Sequence, residues 1–319
     1  MRVQPDFALS TTLTFDRPYG RRYREVKYTQ VRASECAEWT IVLRDALREC
    51  DVTVHPTSDV GQMIAELEWL GTFPPNAPQP DAAWAENPAR ARIAFPLYEQ
   101  AIRIAQAVAL AQGIPGAHER VVKLKKRLNR LTTQDEQAQD FLFELEIGAR
   151  LTRLGLTITF DEPDIVLHSS DGDRLGLACK RPRNVRRLRE RLGEAAAQIT
   201  AGMDQGVIVI GVEPLFHRSN DPQRPTITYL GDVAMVRAEA NRILDDALDS
   251  ARLEIDSALA KGVAGILFCG VATGWARQVA EGRDAYHYQW IHRAISHPDA
   301  LNLADVLEAK LFPSDIDEV

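Results

Sequence analysis

The sequence predicts an α/β protein preceded by a mostly helical N-terminal domain, on three observations. Between Ser34 and Gly71 apolar residues recur at helical spacing. From Leu175 to Val212 a strand-like run, a helix-like run and a wholly apolar run follow one another, the order of a crossover unit. A further apolar run, VAGILFCGVATG from Val263 to Gly274, supplies another buried strand. The helical domain is expected over 1–130 and the α/β domain over 131–319.

The N-terminal domain opens with FALSTTLTF, whose alternation suggests a strand. In SECAEWTIVLRDALREC, Ser34 is the N-cap and Trp39, Val42, Leu43, Ala46 and Leu47 form the apolar stripe of a helix. TSDVGQMIAELEWLG repeats the pattern with Val60, Met63, Ile64, Leu67 and Leu70, and stops at Gly71. Pro74, Pro75, Pro78, Pro80 and Pro88 then mark a loop, because proline lacks the amide donor that a helix interior uses. A buried helix is expected from Pro96 to Gly113. In AHERVVKLKKRLNR, Val121, Val122, Leu124 and Leu128 pack while Arg120, Lys123, Lys125, Lys126, Arg127 and Arg130 face elsewhere, as a solvated or a phosphate-contacting face.

Thr132 or Thr133, with Asp135 and Glu136 next, starts the helix that leads into the α/β domain and stops before Gly155. LTITF and DIVLHSS are two extended pieces, Asp171-Gly172 supplies a turn, and RLGLACK is a third strand. A helix from about Val185 to Met203 has the stripe Val185, Leu188, Leu192, Ala195, Ile199 and Met203, and GVIVIGVE follows as a buried strand. LFHRSNDPQRP reads as a loop, residues 231–262 as one long or two shorter helices, and the C-terminal stretch as mixed.

Composition narrows the class. Apolar residues at 45% and charged residues at 26% are ordinary for a soluble globular protein. The four cysteines form no CxxC or Cys/His cluster, which argues against a disulfide framework or zinc site and fits a reduced, cytoplasmic setting. MRVQPDFALS has no apolar signal region and no long apolar span is free of charge, so neither secretion nor a membrane partner is expected. A net charge of −7 argues against a uniformly basic nucleic-acid coat yet leaves room for a local basic face. His287, His292 and His297 lack metal-ligand spacing and read as packing or surface residues.

The chemistry concentrates between Phe141 and Glu213. Glu144 lies beside the buried side marked by Phe141, Leu145 and Gly148, whereas Glu146, about 200° around the helix with Arg150 and Arg153 following, reads as surface. Asp164 follows Pro163 at the head of an apolar run; Asp161 and Glu162 read as turn residues. Lys180 ends an apolar strand, where a lysine needs water or a partner, and Cys179 beside it reads as a small core residue. Two carboxylates and a lysine in this order can converge on one sheet edge, as a metal-dependent phosphodiesterase requires.

The succession of an acid-bearing helix, Pro163-Asp164, Ala178-Cys179-Lys180 and a basic crossover helix resembles the core of the PD-(D/E)XK nuclease superfamily, the fold of many restriction endonucleases. The likeness covers roughly residues 134 to 213. It implies a restriction endonuclease-like core, a mixed central sheet flanked by helices. It also implies Asp164 as the central ligand of Mg²⁺ (or Mn²⁺), Glu144 as a further catalytic and metal-binding acid, and Lys180 at the scissile phosphate and attacking water. Where the superfamily carries an acid two residues before the lysine, this chain has Ala178. Two readings stay open. Either the fold binds without cutting, or the acid has moved onto the following helix, as in a branch of type II restriction enzymes. Glu194, fourteen positions after Lys180, would then be the catalytic and metal-binding acid, with Glu190 the weaker candidate.

KRPRNVRRLRER clusters arginines, whose forks suit phosphate oxygens, so Arg181, Arg183, Arg186, Arg187 and, further along, Gln198 are candidates for nucleic-acid contact. No base-reading motif is present. The resemblance implies a Mg²⁺-dependent nuclease acting on DNA in phage defence, restriction or repair. The alternative is a catalytically inactive nuclease-fold subunit that binds nucleic acid or scaffolds a larger complex. A protein partner is expected on the N-terminal helical domain, and a homo-oligomer is compatible with the sequence.

Overall fold

The computed structural model describes residues 33–49, 51–73, 86–111, 113–125, 136–216, 227–228, 233–278, 283–297 and 302–312. The strand expected in FALSTTLTF, most of the proline-rich loop, residues 126–135 with their basic side chains and threonine cap, and all but the start of LFHRSNDPQRP lie outside them.

Four helices precede the sheet: α1 (Ala33–Glu49), α2 (Asp59–Gly71), α3 (Pro88–Ala111) and α4 (Ala117–Lys125). The apolar spacing predicts them, and Ser58 caps α2 by accepting a hydrogen bond from Gly61 N–H at 3.0 Å. The start of α3 departs from expectation, since both Pro88 and Pro96 lie within the helix. Pro88 is its first residue, where the missing N–H has no helical partner to lose, and Asn87 closes that end by accepting from Arg90 N–H at 3.0 Å. Pro96 removes one bond of the ladder, a loss outweighed by burial of Ala91, Ala94, Ala101, Ile104, Ala105 and Val108.

Helix α5 (Glu136–Arg153) stops before Gly155 and leads into an antiparallel meander of β1 (Thr157–Thr159), β2 (Ile165–His168) and β3 (Arg174–Lys180). The Asp171-Gly172 turn forms as expected, with Gly172 in the left-handed region at φ +87° and Ser169 N–H donating to the Asp173 carbonyl at 2.9 Å. Helix α6 (Val185–Gly202) is capped by Asn184, which accepts from Arg187 N–H at 2.9 Å. It crosses to β4 (Gly206–Gly211), which runs parallel to β3 with Lys180 opposite Ile210.

A 3₁₀ turn (Glu213–Phe216) and β5 (Ile227–Thr228) follow, and the segment after them forms two helices, α7 (Val233–Ser250) and α8 (Arg252–Ala260). β6 (Gly265–Gln278) runs parallel to β4 and antiparallel to β7 (Arg283–Ser296), and α9 (Leu303–Leu311) comes last. The mixed sheet has the order β1-β2-β3-β4-β6-β5, with β7 paired to β6.

Alternate residues of the central strands enter different layers, the two-residue period of a strand buried on both faces. Leu177, Cys179, Val207, Val209 and Leu267 pack with α1 to α5 and α9. Ala178, Ile208, Ile210, Ile266 and Phe268 pack with α6, α7 and α8. The helices of residues 33–125 therefore share one continuous core with the sheet. Among the described residues no helix is long and apolar enough to cross a membrane.

Candidate active site

The antiparallel register sets Ile165 opposite Leu177, so Asp164, immediately before β2, lies alongside the end of β3. There Asp164 Oδ2 accepts from Lys180 Nζ at 2.7 Å and from Cys179 N–H at 2.8 Å. Both charged residues are 6% exposed. Burial pushes the Asp164 carboxyl up against the pull of Lys180. Burial alone would lower the Lys180 ammonium, but the Asp164 charge outweighs it and holds the group above its ordinary value. Two donors thus converge on one carboxylate oxygen.

Glu144, on α5, is 3% exposed. Arg120 of α4 reaches it, Nε to Oε2 at 2.7 Å. Burial first, and the nearby Asp164 charge second, push the Glu144 carboxyl up to about 8 against the attraction of Arg120. One turn earlier on α5, buried Asp140 accepts from Arg181 N–H at 2.8 Å and lies 3.2 Å from Arg191 Nη2. Burial raises its carboxyl too.

A second buried network adjoins the first through Arg181. Its side chain pairs with Glu213, which also takes Arg103 from α3 and accepts from Val271 N–H at 2.9 Å. Burial alone would raise the Glu213 carboxyl, yet Arg103 and Arg181 hold it down to about 2. Arg103 also grips both oxygens of Glu146, at 2.7 and 2.5 Å. This corrects the expectation of a surface Glu146, which is 5% exposed. Arg150, its expected partner, lies over the Trp290 ring at 3.9 Å, and α3 covers the face that helical periodicity alone leaves open.

The structure thus gathers Asp164, Lys180 and Glu144. Glu194 does not touch them: half-exposed on α6, it accepts from Arg191 Nη1 at 2.7 Å and makes no hydrogen bond or ion pair with Asp164 or Lys180. Arg191 links it to Asp140. Glu190 pairs with Arg186 and Arg187. Gln198 Nε2 lies 3.4 Å from the Pro163 carbonyl, while its Oε1 is buried with no partner. Arg181 is turned inward onto Glu213, whereas Arg183 and Arg186 are exposed. Ala178 is fully buried in the layer that α6 closes. His292 packs as expected, stacked on Phe312 with Nδ1 2.7 Å from Glu308; the side chain of His287 lies outside the described residues.

The donor set fits a hard divalent cation. Asp164 and Glu144, two buried carboxylates close enough for their charges to oppose each other, offer oxygen ligands of the kind Mg²⁺ combines with waters. Among the described residues no three His, Cys, Asp or Glu side chains gather into a metal cage.

Asp140, Arg103 and Glu213 escaped the sequence reading, and Arg120, expected on a face turned away from the packed side chains, is turned inward onto Glu144. Asp140 had a signal, standing four residues before Glu144 and hence on its helix face. So did Arg120, three residues after Ala117 and four before Leu124, both buried. No family model, no curated protein and no solved structure matches the chain.

Proposed function

We propose that the chain is a Mg²⁺-dependent nuclease of the PD-(D/E)XK type, with a restriction endonuclease-like core, that hydrolyses phosphodiester bonds in DNA. The observation that carries this reading is the buried Asp164–Lys180 pair at 2.7 Å, with Glu144 beside it. A meander followed by a crossover to a parallel strand, with the acid-bearing helix in front, supports the same reading.

Asp164 and Glu144 would hold Mg²⁺ or Mn²⁺. A cation bound there supplies Lewis-acid polarisation of a phosphoryl oxygen and a lower pKa for bound water. Lys180, oriented by Asp164, donates to the scissile phosphate and stabilises the charge that grows as an oxygen is displaced in line. Arg183 and Arg186, exposed on and beside the start of α6, suit the flanking phosphates. Glu194 remains the candidate for a relocated acid, reaching the cation by exchanging its contact with Arg191. The resemblance supports a role in defence, restriction or repair, the scattered cysteines fit a cytoplasmic setting, and the helical N-terminal region offers surface for a protein partner or a second copy.

A non-cleaving, nucleic-acid-binding subunit is the second reading. It is favoured by Ala178 in a closed core and by a cation already paired with each buried carboxylate of the site. Cleavage of supercoiled, linear and single-stranded DNA with Mg²⁺, Mn²⁺ or EDTA separates the two. Metal-dependent cutting that Asp164→Ala and Lys180→Ala abolish supports the nuclease, and loss in Glu194→Ala would place the moved acid. DNA binding without cutting under every condition, indifferent to EDTA, supports the second reading.

A further inference from the structure

Arg120 extends the site beyond residues 134 to 213, the stretch that carries the resemblance. Its helix, α4, packs inward through Ala117, Val121 and Leu124. The same stripe carries the Arg120 guanidinium to Glu144, with Nε 2.7 Å from Oε2 and the side chain 12% exposed. Neither of those two atoms completes a hydrogen bond. Among the described residues Glu144 is the one ion-pair partner of Arg120. A guanidinium carries several N–H donors in a flat fork shaped for two oxygens of one anion. One poorly aligned contact engages little of it.

The placement is built into the fold. The Pro115 carbonyl, two residues before α4, accepts from Phe160 N–H at 2.8 Å. Phe160 opens the connection that delivers Asp164 to the site. Between them Gly116 has φ +83°, and a Cβ there would lie 2.1 Å from the Phe160 carbonyl oxygen, so the approach requires glycine. Helix α4 is thereby fastened to the segment carrying Asp164, and Arg120 follows one turn later.

We infer that Arg120 is a phosphate-contacting residue of the active site, contributed by the helical region and acting on the same phosphodiester as Lys180. The inference rests on the nuclease reading. Without substrate the guanidinium rests on Glu144. A phosphodiester offers it two oxygens in fork geometry, and the added positive charge stabilises the transition state without Arg120 making or breaking a bond.

The test combines binding of a labelled DNA duplex in EDTA over a salt series with single-turnover cleavage in Mg²⁺. Wild type, Arg120→Ala and Arg120→Lys are compared, and circular dichroism checks folding. Arg120→Ala is expected to reduce the slope of log K against log salt by about 0.9, the loss of one phosphate contact. It is also expected to slow cleavage by about 10²- to 10³-fold, as removal of one transition-state donor does. Arg120→Lys should recover the slope but not the rate, because an ammonium lacks the fork. An active wild type with an Arg120→Ala variant of unchanged slope and rate overturns this inference alone. A wild type that neither binds nor cuts DNA removes the nuclease reading and the inference with it. Should Arg120→Ala fail to fold, Arg120→Lys decides: a slowed rate with the slope kept supports the contact, and a wild-type rate overturns it.

Discussion

At the residue scale the candidate site is a set of charges held in a place that disfavours charge. Lys180 and Asp164 are each tolerated because the other is 2.7 Å away. Removing one should therefore cost more than removing both. Lys180→Met is expected to destabilise the protein by about 3–5 kcal/mol, because it strands a buried carboxylate. Adding Asp164→Asn to it should recover much of that loss, so urea unfolding of the two single variants and the double variant should give a strongly non-additive cycle.

Glu144 makes the pH dependence specific. Its carboxyl rises from 4.5 to about 8 on folding, so its destabilising effect is absent below about pH 4.5 and grows as pH rises toward 8. Glu213 has the opposite sign: its carboxyl falls from 4.5 to about 2, and the stability it contributes is present above 4.5 and lost as pH falls toward 2. In EDTA, Glu144→Gln should flatten the decline in stability between pH 5 and 8, by up to about 4 kcal/mol, while leaving the acid limb below pH 4.5 in place. Urea titrations at fixed pH values measure both limbs.

Asp164, Lys180 and Glu144 were legible in the sequence because each breaks an apolar pattern and their order carries meaning. Glu146 was not. A helical angle says which face a residue shares but not that Arg103, 43 residues earlier, covers it.

At the element scale most of what positions the site is local. The stripe of α6 predicted its span to within a residue, and Asn184 before it caps the first turn. Asn184→Ala should cost about 1 kcal/mol by loss of that cap, read as a lowered melting temperature. Gly172 has open space where a side chain would go, so Gly172→Ala tests backbone strain alone at its φ of +87° and should cost about 1 kcal/mol. Proline in α3 misled because Pro88 sits at the one helical position that lacks nothing, and because buried alanines on either side of Pro96 hold the helix together.

At the scale of the whole molecule the helices of residues 33–125 complete the core that the sheet begins. Two arginines deliver that coupling: Arg120 to Glu144, and Arg103 to Glu146 and Glu213. Arg103→Met should destabilise the protein by about 3–5 kcal/mol, since it leaves two buried carboxylates short of a cation. Far-ultraviolet dichroism and tryptophan fluorescence should then still report one coincident transition, because helices and sheet share apolar side chains. The sequence shows the periodicity of both regions but not their joint core. A helix stripe names the residues it buries, never the partner element.

The central claim is that Asp164, Lys180 and Glu144 form a metal-dependent phosphodiesterase site. The most direct test is single-turnover cleavage of an end-labelled DNA duplex in Mg²⁺ and in EDTA by wild type and Asp164→Asn, which keeps the shape and removes the charge. Cutting by wild type in Mg²⁺ alone, reduced by Asp164→Asn at least about 10³-fold, is the predicted result. Wild type that binds the duplex without cutting it, or an Asp164→Asn variant that cuts as fast as wild type, would contradict it.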